Sequence, residues 1–165
     1  MATQYAGYMG KVLKIDLTTK EVSEYPFSDR ERELFIGGKT MAAKILGDHL
    51  KGTEKAFSTE NLLVVTTGPL TGTGAPSASR FNISTVSPQT GYITSSNCGG
   101  HFGYYLKKAG LDALILTGQC EEKTWIEIQN DSVKFHNADD LWGMKTTRTQ
   151  ETLDDKLRMK NGRVR

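Results

Sequence analysis

The chain has 165 residues, 37% of them hydrophobic and 24% charged, with 17 glycines; that is enough for about one globular, turn-rich domain with a sizeable core. A formal net charge of +2 implies no polyanionic partner, and no apolar run approaches the roughly 18–20 residues of a membrane span. Positive charge gathers between Lys145 and Arg165, where seven Lys/Arg meet three Asp/Glu, which reads as a solvated basic helix rather than a nucleic-acid surface. The N-terminus has no basic region followed by an apolar one, so no signal peptide is expected. Cys98 and Cys120 are far apart and form no CxxC pair. They read as reduced thiols of a cytoplasmic protein.

In chain order, Tyr8 to Pro26 reads as a hairpin, with Val12, Leu13, Ile15 and Leu17 on one strand, a turn at Thr18-Thr19-Lys20, and Val22 and Tyr25 on the return. Met41, Ala42, Ile45 and Leu46 fall at helical spacing after Gly37-Gly38. Leu62 to Thr67 is an apolar run of the kind buried on both faces. Thr71 to Ser79 has no large side chain, Phe81 to Val86 alternates as a strand, and the chain returns from Tyr92 after a Ser-Pro turn. A helix is expected from Gly99-Gly100, carrying Phe102, Tyr105, Leu106 and Ala109 and stopped by Gly110. Leu111 to Thr117 is a second buried strand, Trp125 to Phe135 another hairpin, and Leu141-Trp142-Gly143 a corner. Thr147 with Gln150 reads as a capping box for a helix with Leu153 and Leu157 on one face, ended by Asn161-Gly162. Gly37-Gly38, a helix and LLVVTTG parallel Gly99-Gly100, a helix and DALILTG, which suggests a duplicated β-rich unit. Val164-Arg165 looks like the start of another strand, so the chain reads as a piece of something longer.

The stretch from Thr71 to Gly103 carries the chemistry. Gly72 and Gly74 make a GxG fragment, but strand-like Phe81-Asn82-Ile83 follows and the third glycine is replaced by Ser77, so it is no dinucleotide fingerprint. It is no Walker loop either. Small residues ending in Arg80 suit close approach of a ligand, with the guanidinium offering a fork to phosphate; a strand-edge salt bridge is the plainer role for Arg80. Asn97-Cys98-Gly99-Gly100 reads as glycines opening a helix, whose free N–H groups suit an anion, with Asn97 either the N-cap or an amide facing a polar cofactor. His49, His101 and His136 are scattered, and no nucleophile stands with its base. The residues alone describe a binding surface for a phosphorylated ligand, without a catalytic set.

These motifs resemble a known family. Gly10-Lys11-Val12-Leu13 with Asp16-Leu17-Thr18-Thr19, Phe35-Ile36-Gly37-Gly38, Gly68-Pro69-Leu70-Thr71-Gly72-Thr73, Ser79-Arg80-Phe81-Asn82, Ser87-Pro88 with Thr90-Gly91, Asn97 with Gly99-Gly100, and Leu106-Lys107 with Ala109-Gly110 are similar, in order, to the N-terminal domain of the tungsten-containing aldehyde:ferredoxin oxidoreductases. The resemblance implies an α+β fold, a β-rich domain with an internal duplication, spanning residues 1–165 as a tungstopterin-binding N-terminal domain. It implies a bis-pterin tungsten cofactor, with Arg80 holding its phosphate, Asn97, Gly99 and Gly100 contacting it, and the Asn97 carbonyl as a candidate ligand of a bridging magnesium ion. It further implies oxidation of aldehydes to carboxylates, electrons passing through a [4Fe–4S] cluster to ferredoxin, and cluster-binding and helical domains outside this sequence. The implied partners are those remaining domains, ferredoxin and a second copy in a homo-oligomer, with no nucleic acid and no membrane. Alone, the chain is expected to be inactive.

Lys39-Thr40 and Cys98 depart from the usual residues at their positions and leave the subfamily open, the related aromatic acyl-CoA reductases included; the clear Asn97-x-Gly99-Gly100 leans toward aldehyde oxidation. Two rivals stand beside this reading: a free-standing β-rich module binding a phosphorylated ligand without redox chemistry, and a subunit kept only for assembly.

Overall fold

The alternating apolar positions of the strands build a sheet buried on two faces. The computed structural model describes residues 3–130 and 132–157. Its elements are β1 (Val12–Asp16), β2 (Val22–Glu24), α1 (Asp29–Phe35), α2 (Gly38–His49), β3 (Leu62–Thr67), β4 (Phe81–Val86), β5 (Ile93–Cys98), α3 (Phe102–Lys108), β6 (Ala113–Thr117), β7 (Thr124–Gln129), β8 (Ser132–Asn137) and α4 (Thr146–Lys156). Six strands form one sheet in the order β2-β1-β6-β3-β4-β5, and β7-β8 form a separate hairpin. Within the large sheet β1 and β6 run parallel, and the other neighbours are antiparallel.

Period-two alternation sorts the strand residues. Val12, Leu62, Val64, Ala113 and Ile115 face α2, where Met41, Ala42, Ile45 and Leu46 repeat at helical spacing. Leu13, Ile15, Val65 and Leu114 face the other way, against Leu106 of α3 and the Ile126, Ile128, Val133 and Phe135 side of the β7-β8 hairpin. The result is a helix layer, a central sheet, and a layer made of α3 and the hairpin. The expected α+β class is present, as are the strands expected within the described residues. The proposed duplication shows in element order, since hairpin, helix and strand occur twice. Strand direction breaks it, because β1 lies parallel to β6 whereas β4 lies antiparallel to β3.

Helix ends account for most departures from expectation. α1 has no counterpart in the sequence reading. Ser28 Oγ accepts from the Glu31 N–H at 3.2 Å while the Ser28 N–H donates to Glu31 Oε2 at 2.7 Å, a reciprocal capping box. α3 ends as expected: the Gly110 N–H donates to Lys107 O and the Leu111 N–H to Leu106 O, at 2.9 and 3.1 Å, a Schellman closure with Gly110 at φ +82°. The Thr147–Gln150 capping box is not formed. α4 starts two residues earlier, with Lys145 at its N-cap and no side-chain cap bond, which puts Thr147 inside the helix. The expected stop at Asn161-Gly162 and strand start at Val164-Arg165 lie outside the described residues.

One buried charge cluster ties these layers together. Asp112, between α3 and β6, is 2% exposed. Its carboxylate accepts from Lys107 Nζ at 2.5 Å and from the Met9 and Gly10 N–H groups at 2.9 and 2.8 Å. Arg32 Nε lies 4.0 Å away, and Lys107 Nζ also donates to Gly7 O at 2.7 Å. The Asp112 main-chain carbonyl accepts from both the N–H and the hydroxyl of Thr67, at 3.0 and 2.8 Å. The N-terminal strap, α1, α3, β6 and the end of β3 therefore meet at one residue. The strap is also held at Asp29, which accepts from Thr3 Oγ1 and the Gln4 N–H.

Asp112→Ala leaves the buried Lys107 ammonium without its ion partner, so it is expected to lower unfolding free energy by about 3–5 kcal/mol. Asp139→Ala, which removes an exposed ion pair to Lys123, is expected to cost under about 1 kcal/mol; urea unfolding of both checks this. The Thr3 hydroxyl, the Gln4 N–H and Arg32 hold the Asp29 carboxyl below its ordinary value. The support this gives is present above the carboxyl's unfolded value and is lost as pH falls through the depressed one. Amide exchange at Gln4 is therefore expected to speed up, beyond its intrinsic pH dependence, only as pH falls below about 4.

Candidate functional site

The far edge of the large sheet is the open part of the molecule. β5 is its last strand, and every β5 residue except Ser95 is exposed. The β4-β5 register pairs Phe81 with Cys98, Asn82 with Asn97 and Ser84 with Ser95. Asn82 is buried and fully engaged: its Nδ2 donates to Ser84 Oγ and its Oδ1 accepts from Ser95 Oγ, both at 2.7 Å. This polar trio fixes the register of a strand pair that has little apolar content on the β5 side. It also sets Asn97 directly across from Asn82. Continued by one residue, the register places Arg80 opposite Gly99. Arg80, Asn97, Gly99 and Gly100 thus come to one end of one strand pair, and all four are exposed.

The small-residue loop before β4 is folded tightly. Thr71 Oγ1 donates to Arg80 O at 3.1 Å and accepts from the Gly68 N–H at 3.3 Å. Gly72 sits at φ +81°, and a Cβ there would lie 2.9 Å from Lys107 Cβ; both the left-handed backbone and the close approach require glycine. Gly103 of α3 packs beneath this loop, where a Cβ would lie 3.2 Å from Ser79 O and from Thr71 Cγ2. The Arg80 guanidinium forms no ion pair among the described residues, so the strand-edge salt bridge considered for it is not seen there. Nothing lies within 4 Å of the Cβ positions of Gly99 and Gly100.

Two expectations about Asn97 to Gly100 are corrected. Asn97 is not an N-cap but a residue of β5, because pairing with β4 continues through Cys98. The helix does not open at the glycines. α3 starts at Phe102 with His101 at its N-cap and runs for seven residues, while Gly100 at φ +85° turns the chain from strand to helix. Any anion at this place meets loop backbone and Arg80, not a helix N-terminus. Cys98 and Cys120 are both free thiols. Among the described residues no group of three or more His, Cys, Asp or Glu side chains is placed to hold a metal. Two wide concavities, of about 550 and 480 Å³, lie at the opposite end of the sheet around Phe57, Val86 and Pro88, away from the residues just described.

Sequence reasoning missed Thr71 and Asn82 as structural anchors of this edge. Asn82 and Ser84, two apart on β4, with Ser95 and Asn97, two apart on β5, form a polar stripe on one face of the pair. That spacing was the available signal.

Fold and site together define a mixed-sheet α+β platform whose open edge exposes loop backbone and one guanidinium. A family model described as aldehyde ferredoxin oxidoreductase, N-terminal domain, matches residues 12–165, and the chain belongs to that family. The tungsten-containing aldehyde ferredoxin oxidoreductase of Thermococcus kodakarensis is 36% identical over 151 residues, 92% of this chain and 25% of the relative. The WOR-like subunit of the aliphatic sulfonate oxidoreductase of Pyrococcus furiosus is 34% identical over 149 residues, 88% of this chain and 24% of the relative. Among solved structures, the active site complex BamBC of benzoyl coenzyme A reductase, bound to 1,5-dienoyl-CoA, superposes with a TM-score of 0.91 at 36% identity, covering 94% of this chain and 24% of that one. The chain spans about a quarter of the length of the relatives it matches. No helix among the described residues is long and apolar enough to cross a membrane.

The exposure of the edge gives a direct check. Cys98 is exposed, whereas Cys120 is partly covered and its Sγ donates to Leu17 O at 3.6 Å. Brief treatment of this chain with iodoacetamide is expected to alkylate Cys98 before Cys120, read by peptide mass spectrometry.

Proposed function

We propose that this chain is the cofactor-holding N-terminal domain of a tungsten-containing aldehyde:ferredoxin oxidoreductase. The observation that carries the reading is the convergence of Arg80, Asn97 and Gly99 at one exposed end of the β4-β5 pair. The residues present suit a phosphorylated pterin. An exposed guanidinium gives a forked, permanently charged donor for phosphate. Gly99 and Gly100 leave open space where side chains would stand, so backbone groups are reachable by a flat ligand. When bound, the tungsten bis-pterin group supplies the two-electron chemistry that takes an aldehyde to a carboxylate.

This chain's own part is binding and orientation. Arg80 holds the phosphate, Asn97 and the Gly99-Gly100 loop support the pterin, and the Asn97 carbonyl is a ligand for a magnesium ion on the phosphates. The [4Fe–4S] cluster, the acid–base residues and the second wall of the cofactor come from the rest of the polypeptide, with ferredoxin as the electron acceptor. The protein works in the cytoplasm, and self-association into a homo-oligomer belongs to the same reading. Relatives named for aldehydes, aliphatic sulfonates and an aromatic acyl-CoA share this domain at similar identity, so substrate choice is assigned to the remaining domains. The family membership lends no support to a free-standing phosphate-binding module.

Metal analysis of the full-length polypeptide, purified anaerobically, tests the proposal. Tungsten with about four irons per chain is expected; absence of tungsten, molybdenum and iron in a folded protein would overturn it. Arg80→Gln removes a charge-assisted contact of about 1.5–3 kcal/mol. It is expected to weaken cofactor retention by about 10–100-fold, read as tungsten retained after extended anaerobic dialysis.

A further inference from the structure

We infer that Thr71 is a positioning residue for Arg80, acting through the Arg80 backbone. The inference rests on the proposed reading of Arg80 as the phosphate-holding side chain. Thr71 is 5% exposed in a loop that is otherwise largely open. Its hydroxyl joins the two mouths of that loop. It accepts from the N–H of Gly68, the first residue after β3, and donates to the carbonyl of Arg80, the last residue before β4. The Thr71 N–H donates back to Gly68 O at 3.1 Å, so the threonine is itself held by the residue it clips. Its methyl group lies against Gly103 of α3, which selects the rotamer that aims the hydroxyl.

The guanidinium is exposed and has no ion pair among the described residues. Its location therefore follows from the direction in which the chain enters β4. A loop of small residues has many backbone conformations to lose, and one part-buried hydroxyl bond at the Arg80 carbonyl removes that freedom where the ligand-facing side chain departs. The same bond satisfies a backbone carbonyl at the point where the β3–β4 ladder, which ends at the Thr67–Phe81 pair, has run out. Threonine supplies both the hydroxyl and the packing methyl.

A double-mutant cycle in the full-length enzyme tests this, with retained tungsten and pterin phosphate per polypeptide as the readout and circular dichroism confirming the fold. Thr71→Val keeps the shape and deletes the hydroxyl. It is expected to lower cofactor retention several-fold, Thr71→Ser to restore most of it, and Thr71→Val combined with Arg80→Gln to fall no further than Arg80→Gln alone. If Thr71→Val does not fold, Thr71→Ala replaces it in the same cycle. Three results overturn the inference while leaving the reading of Arg80 intact: wild-type retention without the hydroxyl, failure of Thr71→Ser to rescue, or fully additive losses. Wild-type retention in Arg80→Gln overturns the reading of Arg80 and the inference with it.

Discussion

The structure depends on one buried carboxylate. Asp112 gathers the Lys107 ammonium, two backbone N–H groups of the N-terminal strap and, at 4.0 Å, the Arg32 guanidinium, while its main chain holds Thr67. Desolvating such charges costs much of what their attraction returns, so the cluster's value lies in geometry more than in net stability. It fixes where β3 ends, and the Gly68–Gly72 turn starts from there. Lys107 participates twice, as the ion partner of Asp112 and as the surface against which Gly72 packs. The chain of contact then runs through Thr71 to the Arg80 backbone. A path of contacts thus links the interior charge cluster to an exposed residue at the sheet edge.

The platform combines two kinds of construction. Both faces of the central strands are filled mainly with aliphatic side chains. The β4-β5 edge is held by hydroxyls and amides, with Asn82, Ser84 and Ser95 in one network. Such a network specifies register and leaves the outer strand exposed. The α1–α2 corner shows the same preference for backbone definition. Ile36 sits at φ 54° with ψ −70° and the Gly37 N–H donates to Phe35 O at 2.5 Å, a strained three-residue turn. Tyr8 OH pins it by donating to Ile36 O, and a Cβ on Gly37 would lie 2.6 Å from Thr67 O.

What was legible in the sequence follows from the range of each interaction. Strands such as Leu62–Thr67 and Phe81–Val86 are set by local alternation and β-branching, and they appear where that pattern places them. The Gly110 helix stop is likewise local. α1 escaped because its seven residues are mostly charged, so hydrophobic periodicity says nothing, and the Ser28–Glu31 capping box was its one local signal. Asp112 escaped because Met9 is 103 residues away in the chain; nothing near Asp112 in the sequence shows that it is buried. The N-cap alternative for Asn97 fails because its strand role depends on pairing with Asn82, a tertiary fact, although Arg80, Asn97 and Gly99 do come to one place in the register. Thr147 failed as a cap because α4 begins one residue before it.

A structure of the full-length polypeptide, purified anaerobically with its cofactor, tests the central claim most directly. The pterin phosphate is expected within hydrogen-bond distance of the Arg80 guanidinium, with the pterin edge against Asn97 and the Gly99-Gly100 backbone. A cofactor seated elsewhere, with Arg80 paired to a protein carboxylate from another domain, would contradict it.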